Sequence, residues 1–109
     1  MDRALTGYNS PVPLSSFFGP LEIQALEALW KARRESSVRD LREFFPGVAY
    51  TTLMTTLDRL YKKGVLSRRK KGRAFLYVPL SSREVLEQSL AFEALDTILG
   101  SFGTRRIAW

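Results

Sequence analysis

TTLMTTLDRLYKKG (Thr51–Gly64) runs directly into VLSRRKKGRAFLYVPL (Val65–Leu80), and the hydrophobic period changes at the junction. In the first stretch Leu53, Leu57 and Leu60 fall within a narrow arc at roughly 100° per residue, flanked by Thr56 and Tyr61. Thr51, Thr55, Asp58, Arg59 and Lys62 point the opposite way, with Thr52 and Met54 on the margins. The spacing predicts a helix from Thr51, stopped by Gly64. In the second stretch the period falls to two: Phe75 and Tyr77 share one face, Leu76 and Val78 the other. Val65–Arg69 and Ala74–Pro79 are therefore read as two strands, with Lys70–Arg73 as the turn between them. Four threonines are a poor choice for helix propensity alone. Their concentration toward the helix N-terminus points to a surface kept for contacts.

Upstream, Pro20 suits the first position of a helix, and Ile23, Leu26, Leu29 and Trp30 share one face of a helix reaching about Arg33. Trp30, lying in that stripe, is read as a core residue. Ser37 with Asp40 makes a capping box with a short acid, opening a second helix over Val38–Phe45 that Pro46-Gly47 ends. Residues 1–19, rich in Gly, Ser and Pro and without a period, read as a flexible N-terminal arm or a segment lying on the domain. Phe17 and Phe18 are its apolar exceptions, suited to docking on the first helix or on a partner chain. Downstream, Ser81 with Glu84 reads as a second capping box opening a long helix. Its Leu86, Leu90, Ala94, Leu95, Ile98 and Leu99, joined by Phe92, give more apolar surface than one small domain can use. Those six residues are assigned to pairing with a second copy of the chain. The organisation expected is an arm (1–19), a domain (20–80) and a helical dimerisation tail (81–109).

Composition narrows the function. The 109 residues contain no cysteine and no histidine, which removes disulfides, thiolate or imidazole metal sites, and the usual nucleophile–base pairs. The acids are scattered singly on charged helices, so no catalytic residue, metal ligand or cofactor is assigned, and the chain is read as a non-enzyme. No apolar run suits a membrane span and no secretory signal is visible, so a cytoplasmic location is expected. The net charge is +6, but its placement matters more than its size. Residues 49–80 hold eight Lys/Arg against Asp58 alone, whereas residues 1–48 balance at six and six. A neutral body with one concentrated basic segment is the footprint of a polyanion-binding surface.

Three helices, a basic hairpin and a long helix describe a mainly α fold with a small β-hairpin: a winged helix-turn-helix domain plus a C-terminal dimerisation helix. A helix fits the major groove of duplex DNA, and a hairpin beside it reaches the adjacent phosphates or minor groove. Thr51, Thr52, Met54 and Thr55 occupy the helix half that meets base edges. A threonine offers a hydroxyl to polar base atoms and a methyl to thymine. Met54 fits either thymine methyls or the first helix. Arg59 and Lys62 suit phosphate, and Asp58 can pair with Lys62 one turn on. Lys70, Lys71 and Arg73 at the hairpin tip supply further phosphate or minor-groove contacts. Arg68 and Arg69 lie on opposite strand faces, so one of them is expected to face DNA, and Arg68 is the one assigned to it.

LEIQALEALWK (Leu21–Lys31), the Thr51–Leu80 stretch and SSREVL (Ser81–Leu86) resemble the penicillinase-repressor family, the BlaI/MecI/CopY-type regulators. The most specific parts are the threonine-led helix, RLYKKG (Arg59–Gly64) and GRAFLYVP (Gly72–Pro79). The resemblance implies a dimeric winged-helix repressor of palindromic operators, paired through its C-terminal helical region. Met54 stands where the family often carries a basic residue, the family's tail is commonly longer, and the cysteines of its copper-responsive branch are missing. The expected function is thus a sequence-specific DNA-binding repressor acting as a homodimer on a double-stranded operator. The alternatives are a winged-helix protein-interaction module and an architectural DNA binder without sequence preference.

Overall fold

A computed structural model describes residues 13–100, with side chains through residue 96. Expectations for residues 1–12 and 101–109, and the assignment of Ile98 and Leu99 to the pairing face, lie outside the described residues. The fold is a winged helix. After a 3-10 turn (Leu14–Ser16) come helices α1 (Pro20–Ala32), α2 (Val38–Arg42) and α3 (Tyr50–Lys62). Strands β1 (Leu66–Lys71) and β2 (Ala74–Pro79) form the wing, and α4 (Arg83–Gly100) follows.

Local chemistry sets the helix ends. Pro20 has no N–H to leave unsatisfied at the first position of α1, and the Gly19 N–H donates to Glu22 Oε1 at 2.8 Å. At α2 the Asp40 N–H donates to Ser37 Oγ at 3.1 Å and the Ser37 N–H to Asp40 Oδ2 at 2.9 Å, the reciprocal bonds of a capping box. The helix stops at Arg42 rather than Phe45, because the Phe44 and Phe45 amides bond back three residues, to Leu41 and Arg42. This tighter turn swings Phe45 into the core and leaves Phe44 63% exposed. Helix α3 begins at Tyr50, one residue before the expected start, and closes in a Schellman motif. There Val65 N–H bonds Leu60 O and Gly64 N–H bonds Tyr61 O, with Gly64 at φ +83°.

The hairpin is longer and its turn tighter than the sequence suggested. β1 continues through Lys70 and Lys71, which pair with Phe75 and Ala74, so only Gly72 and Arg73 turn the chain. Gly72 has φ +63°, the left-handed geometry that a two-residue hairpin requires at its first position. The segment joining α1 and α2 adds a bridge to the sheet, because Ser36 and Tyr77 exchange both backbone bonds, at 3.0 and 2.8 Å.

One core joins all these pieces: Leu26 and Leu29 of α1, Leu41 of α2, Leu53, Leu57 and Leu60 of α3, and Leu66 and Tyr77 of the wing root. Leu14 and Phe18, from the segment before α1, are buried in it, so the described part of the arm packs on the domain. Leu86 of α4 is buried there too, only 8% exposed, and is taken up within its own chain rather than left for a partner. The cap of α4 is Ser82, whose Oγ accepts the Val85 N–H at 3.2 Å, and not Ser81. Ser81 instead offers its carbonyl to Trp30 Nε1 at 2.7 Å, which ties the start of α4 to α1. Half-buried Trp30 is packed against the core, as its place in the apolar stripe implied.

Candidate nucleic-acid interface

Helix α3 separates its two faces cleanly. Leu53, Thr56, Leu57 and Leu60, at the i, i+3, i+4, i+7 spacing, are buried. Thr56 reconciles its hydroxyl with burial by donating to Thr52 O at 2.8 Å. With that stripe fixed inward, Thr51, Thr52, Met54, Thr55, Arg59 and Lys62 all lie exposed. Met54 is 44% exposed and follows the same helical edge as Asp58 and Tyr61, the edge nearest the wing. Thr52 and Arg59 flank the other edge. They line, with Thr56, Lys63 and the start of α1 at Gly19 to Glu22, a groove of about 560 Å³.

The wing stands beside this face with its charge graded from root to tip. Alternation along β1 sends Arg68 and Arg69 to opposite sides, and both are engaged within the molecule. Arg68 Nη1 lies 3.0 Å from Asp58 Oδ1, and its guanidinium carbon lies 3.9 Å from the Tyr61 ring centroid and 4.0 Å from that of Phe75. Arg69 forms a two-pronged bond with Glu35, Nε to Oε2 at 2.7 Å and Nη2 to Oε1 at 2.8 Å. Lys70, Lys71 and Arg73 lie exposed at the tip, and among the described residues none of them forms an ion pair. Lys70 rests its ammonium 5.6 Å from the Phe75 ring.

Asp58 would place a negative charge on a face otherwise basic, but two cations hold it. Lys62, one turn on, pairs with Oδ2 at 3.1 Å, and Arg68 takes Oδ1. The bonds from Lys62 and then Arg68 lower the Asp58 pKa below the usual aspartate value. The bond from Arg69 lowers that of Glu35 likewise. Asp58 and Glu35 are thus each matched by a cation of the wing or of α3.

The sequence pattern did not reveal three of these arrangements. Lys63, adjoining the face, pairs with Glu22 at 2.9 Å across forty-one positions of sequence, and Glu22 is buried. Glu22 three residues after Gly19 carries the spacing of a capping acid, but nothing local announces Lys63. The Arg68 sandwich and the Arg69–Glu35 clasp likewise join residues whose proximity only the packed fold creates. The six residues assigned to pairing divide in the structure. Leu86 is buried, Leu90 and Ala94 are half-buried, and Leu95 is 52% exposed.

Comparison with known proteins bears on this geometry. The family model described as "Penicillinase repressor" matches residues 18–105. The chain belongs to the penicillinase-repressor family. Among its relatives, "Transcriptional regulator BlaI" of Mycobacterium tuberculosis (strains CDC 1551 / Oshkosh and ATCC 25618 / H37Rv) is 35% identical over 93 residues, covering 83% of this chain and 67% of the relative. "Penicillinase repressor" of Bacillus licheniformis is 32% identical over 60 residues, covering 53% of this chain and 47% of that protein. The crystal structure of M. tuberculosis Rv0081 superposes with a TM-score of 0.55 at 24% identity, covering 84% of this chain and 89% of that one, a likeness of fold. The family match takes in α1–α3, the wing and α4, so every element of the candidate interface lies within the shared region. Among the described residues no helix is long and apolar enough to cross a membrane, and no cluster of acidic side chains could hold a metal ion.

Proposed function

We propose that this penicillinase-repressor-family chain is a transcriptional repressor that binds a two-fold-symmetric DNA operator as a homodimer. One observation carries the reading: the exposed face of α3 and the wing-tip cations, which form no ion pair among the described residues, lie side by side on an otherwise charge-balanced body. Thr51, Thr52, Met54 and Thr55 would read base edges in the major groove, while Arg59, Lys62, Lys70, Lys71 and Arg73 hold phosphates. The relatives' names support the regulatory role, since one is a transcriptional regulator and the other a repressor.

Residues 20–80 form the DNA-binding unit in this reading, and residues 81–109 the pairing tail. Helix α4 supports pairing by what it leaves uncovered. Val85, Phe92 and Leu95 are 49%, 59% and 52% exposed, at the three-and-seven spacing of a coiled-coil seam. The pairing face is thus centred on Phe92 and Leu95, offset from the edge that Leu86 presents to its own core. Two copies would set their α3 helices into successive major grooves, with half-sites about 34 Å apart or a multiple of that.

Selection of binding sites from random duplexes, read with solution mass, tests both halves. The expected outcome is a palindromic sequence bound by two copies. Affinity should fall by about 10³ or more between low and moderate salt if six or more phosphates are held. Equal affinity for every duplex would favour an architectural binder, and no affinity for DNA would favour a protein-interaction module. Replacing Thr51 and Thr55 by Ala should erase sequence discrimination while leaving the salt dependence in place.

A further inference from the structure

The upper half of the wing has little to hold it. A two-stranded hairpin is marginal by itself. Here the core residues Leu66 and Tyr77 and the Ser36 bridge secure only the root. Above them the side chains of Arg69, Lys70, Lys71 and Ala74 are exposed. Among the described residues two side chains reach from the wing to the body, Arg68 from the level of Tyr77 toward α3 and Arg69, one step higher, toward Glu35. The second pair is open to solvent, at 59% and 38% exposure, whereas Arg68 is only 21% exposed.

Arg68 spans the two elements atom by atom. Its guanidinium lies between the Tyr61 ring of α3 and the Phe75 ring of β2. Its Nη1 donates to Asp58 of α3 and, at 3.5 Å, to the Tyr77 hydroxyl of β2. One plane, one acid and one phenol are satisfied together, which a planar cation with a fixed fork of donors can do and a lysine cannot. A phosphate at this guanidinium would have to displace Asp58, leaving that carboxylate to repel it.

We infer that Arg68 is a positioning residue: it straps the wing to α3 and keeps the charge of Asp58 matched, so that Lys70, Lys71 and Arg73 are presented in fixed register with the helix. The strap is a property of the free protein, and its consequence for affinity rests on the DNA-binding reading above.

Hydrogen exchange of the full chain without DNA tests the strap itself. Arg68→Lys keeps the charge but loses the plane, and Tyr61→Ala removes one stacking face without touching a charge. Both should speed exchange of the upper hairpin amides by about tenfold, the scale of a partly desolvated cation–π contact, while amides of Leu53 to Leu60 in α3 stay protected. Tyr61→Phe, which restores the ring, should match the unmodified protein. Anisotropy with a random-sequence duplex gives the second arm. Arg68→Lys should bind several-fold more weakly and with the same weakening as Tyr61→Ala. Full retention of affinity in Arg68→Lys would mean that position 68 needs only a charge for phosphate, and would overturn the proposal. So would unchanged hairpin exchange, or equal acceleration in hairpin and α3, which would make Arg68 a general stabiliser. Failure of the unmodified protein to bind any duplex would sink the DNA-binding reading and leave the exchange result standing.

Discussion

Helices α3 and α4 treat their apolar residues in opposite ways. In α3 the leucines at 53, 57 and 60 are fully buried, and the residues facing out are mostly polar or charged. In α4 Leu86 reaches the core, while Val85, Phe92 and Leu95 stay in solvent at roughly half exposure. One helix has its leucine stripe used up by its own chain, with Tyr50, Met54 and Tyr61 exposed among polar and charged neighbours; the other leaves part of its apolar stripe uncovered. A helix that closes its hydrophobic account internally is free to present a polar face to a polyelectrolyte. A helix with a stripe left over is prepared for another apolar surface. Under the proposed reading these helices, of 13 and 18 residues, serve two different interfaces, and what separates them is where the neighbouring elements sit.

The largest effect should follow from breaking the buried side of α3. Leu57→Ala removes a side chain with no exposed area from the centre of the core, and should cost about 2–5 kcal/mol of stability. Urea denaturation followed by circular dichroism measures it. A loss well under 1 kcal/mol would mean that α3 is not the keystone its burial implies. The corresponding change on α4 should behave differently. Phe92→Glu places a charge on a side chain already 59% exposed, so the stability of the separate chain should move by less than about 0.5 kcal/mol. The solution mass should fall to that of one chain under the homodimer reading. If Phe92→Glu unfolds the protein, α4 is an internal element and the comparison with α3 collapses.

These two helices also show how far a sequence can be read. The α3 stripe was legible because all its members are buried on one side of the helix, so periodicity and burial coincide. The Ser37–Asp40 cap was legible because both partners lie within one turn. On α4 periodicity identifies an apolar surplus but not which edge of it the core takes. Periodicity alone gives Leu86 to a partner for that reason, whereas in the packed fold it joins the core. In the candidate site, Lys70, Lys71 and Arg73 are adjacent residues at a turn, and their exposure follows from that. Arg68 has the same composition around it, yet its environment depends on Asp58, Tyr61 and Phe75 meeting across two elements. Long-range pairs such as Lys63–Glu22 and Ser36–Tyr77 leave no local trace at all.

A smaller change should sharpen the division within α4. Its first turn is tied to α1 by the Trp30–Ser81 bond, by Arg83 against Glu27, and by burial of Leu86, whereas Phe92 and Leu95 beyond lie exposed. Trp30→Phe keeps a ring in place and removes the donor, leaving the Ser81 carbonyl without it. The expected cost is about 0.5–1.5 kcal/mol. Amide exchange should accelerate in the first turn of α4, while α3 is unchanged. Equal acceleration in α3 would show the two helices to be one cooperative unit, not separately anchored ones.

The smallest effect concerns charge on the α3 face, and its sign follows from the pairing. Bonds from Lys62 and Arg68 lower the Asp58 pKa, and the bond from Arg69 lowers that of Glu35. A carboxylate depressed in the folded protein contributes stability that is complete above its unfolded pKa and is lost as pH falls through the folded value. Both acids therefore stay ionised through the neutral range, and the chain has no histidine to titrate there. Affinity for DNA should accordingly be flat between about pH 6 and 8, where an interface bearing an imidazole would change. Below the ordinary carboxylate range, protonating Asp58 removes a negative charge from the face but also releases Arg68. Long-range attraction to phosphate should then rise while the wing loosens. Anisotropy at matched ionic strength across that range, run beside Asp58→Asn, separates the two consequences. The variant should already show at neutral pH the hairpin exchange that the unmodified protein reaches only in acid. A steep change in affinity near neutrality would mean that a group outside these pairs controls the interface.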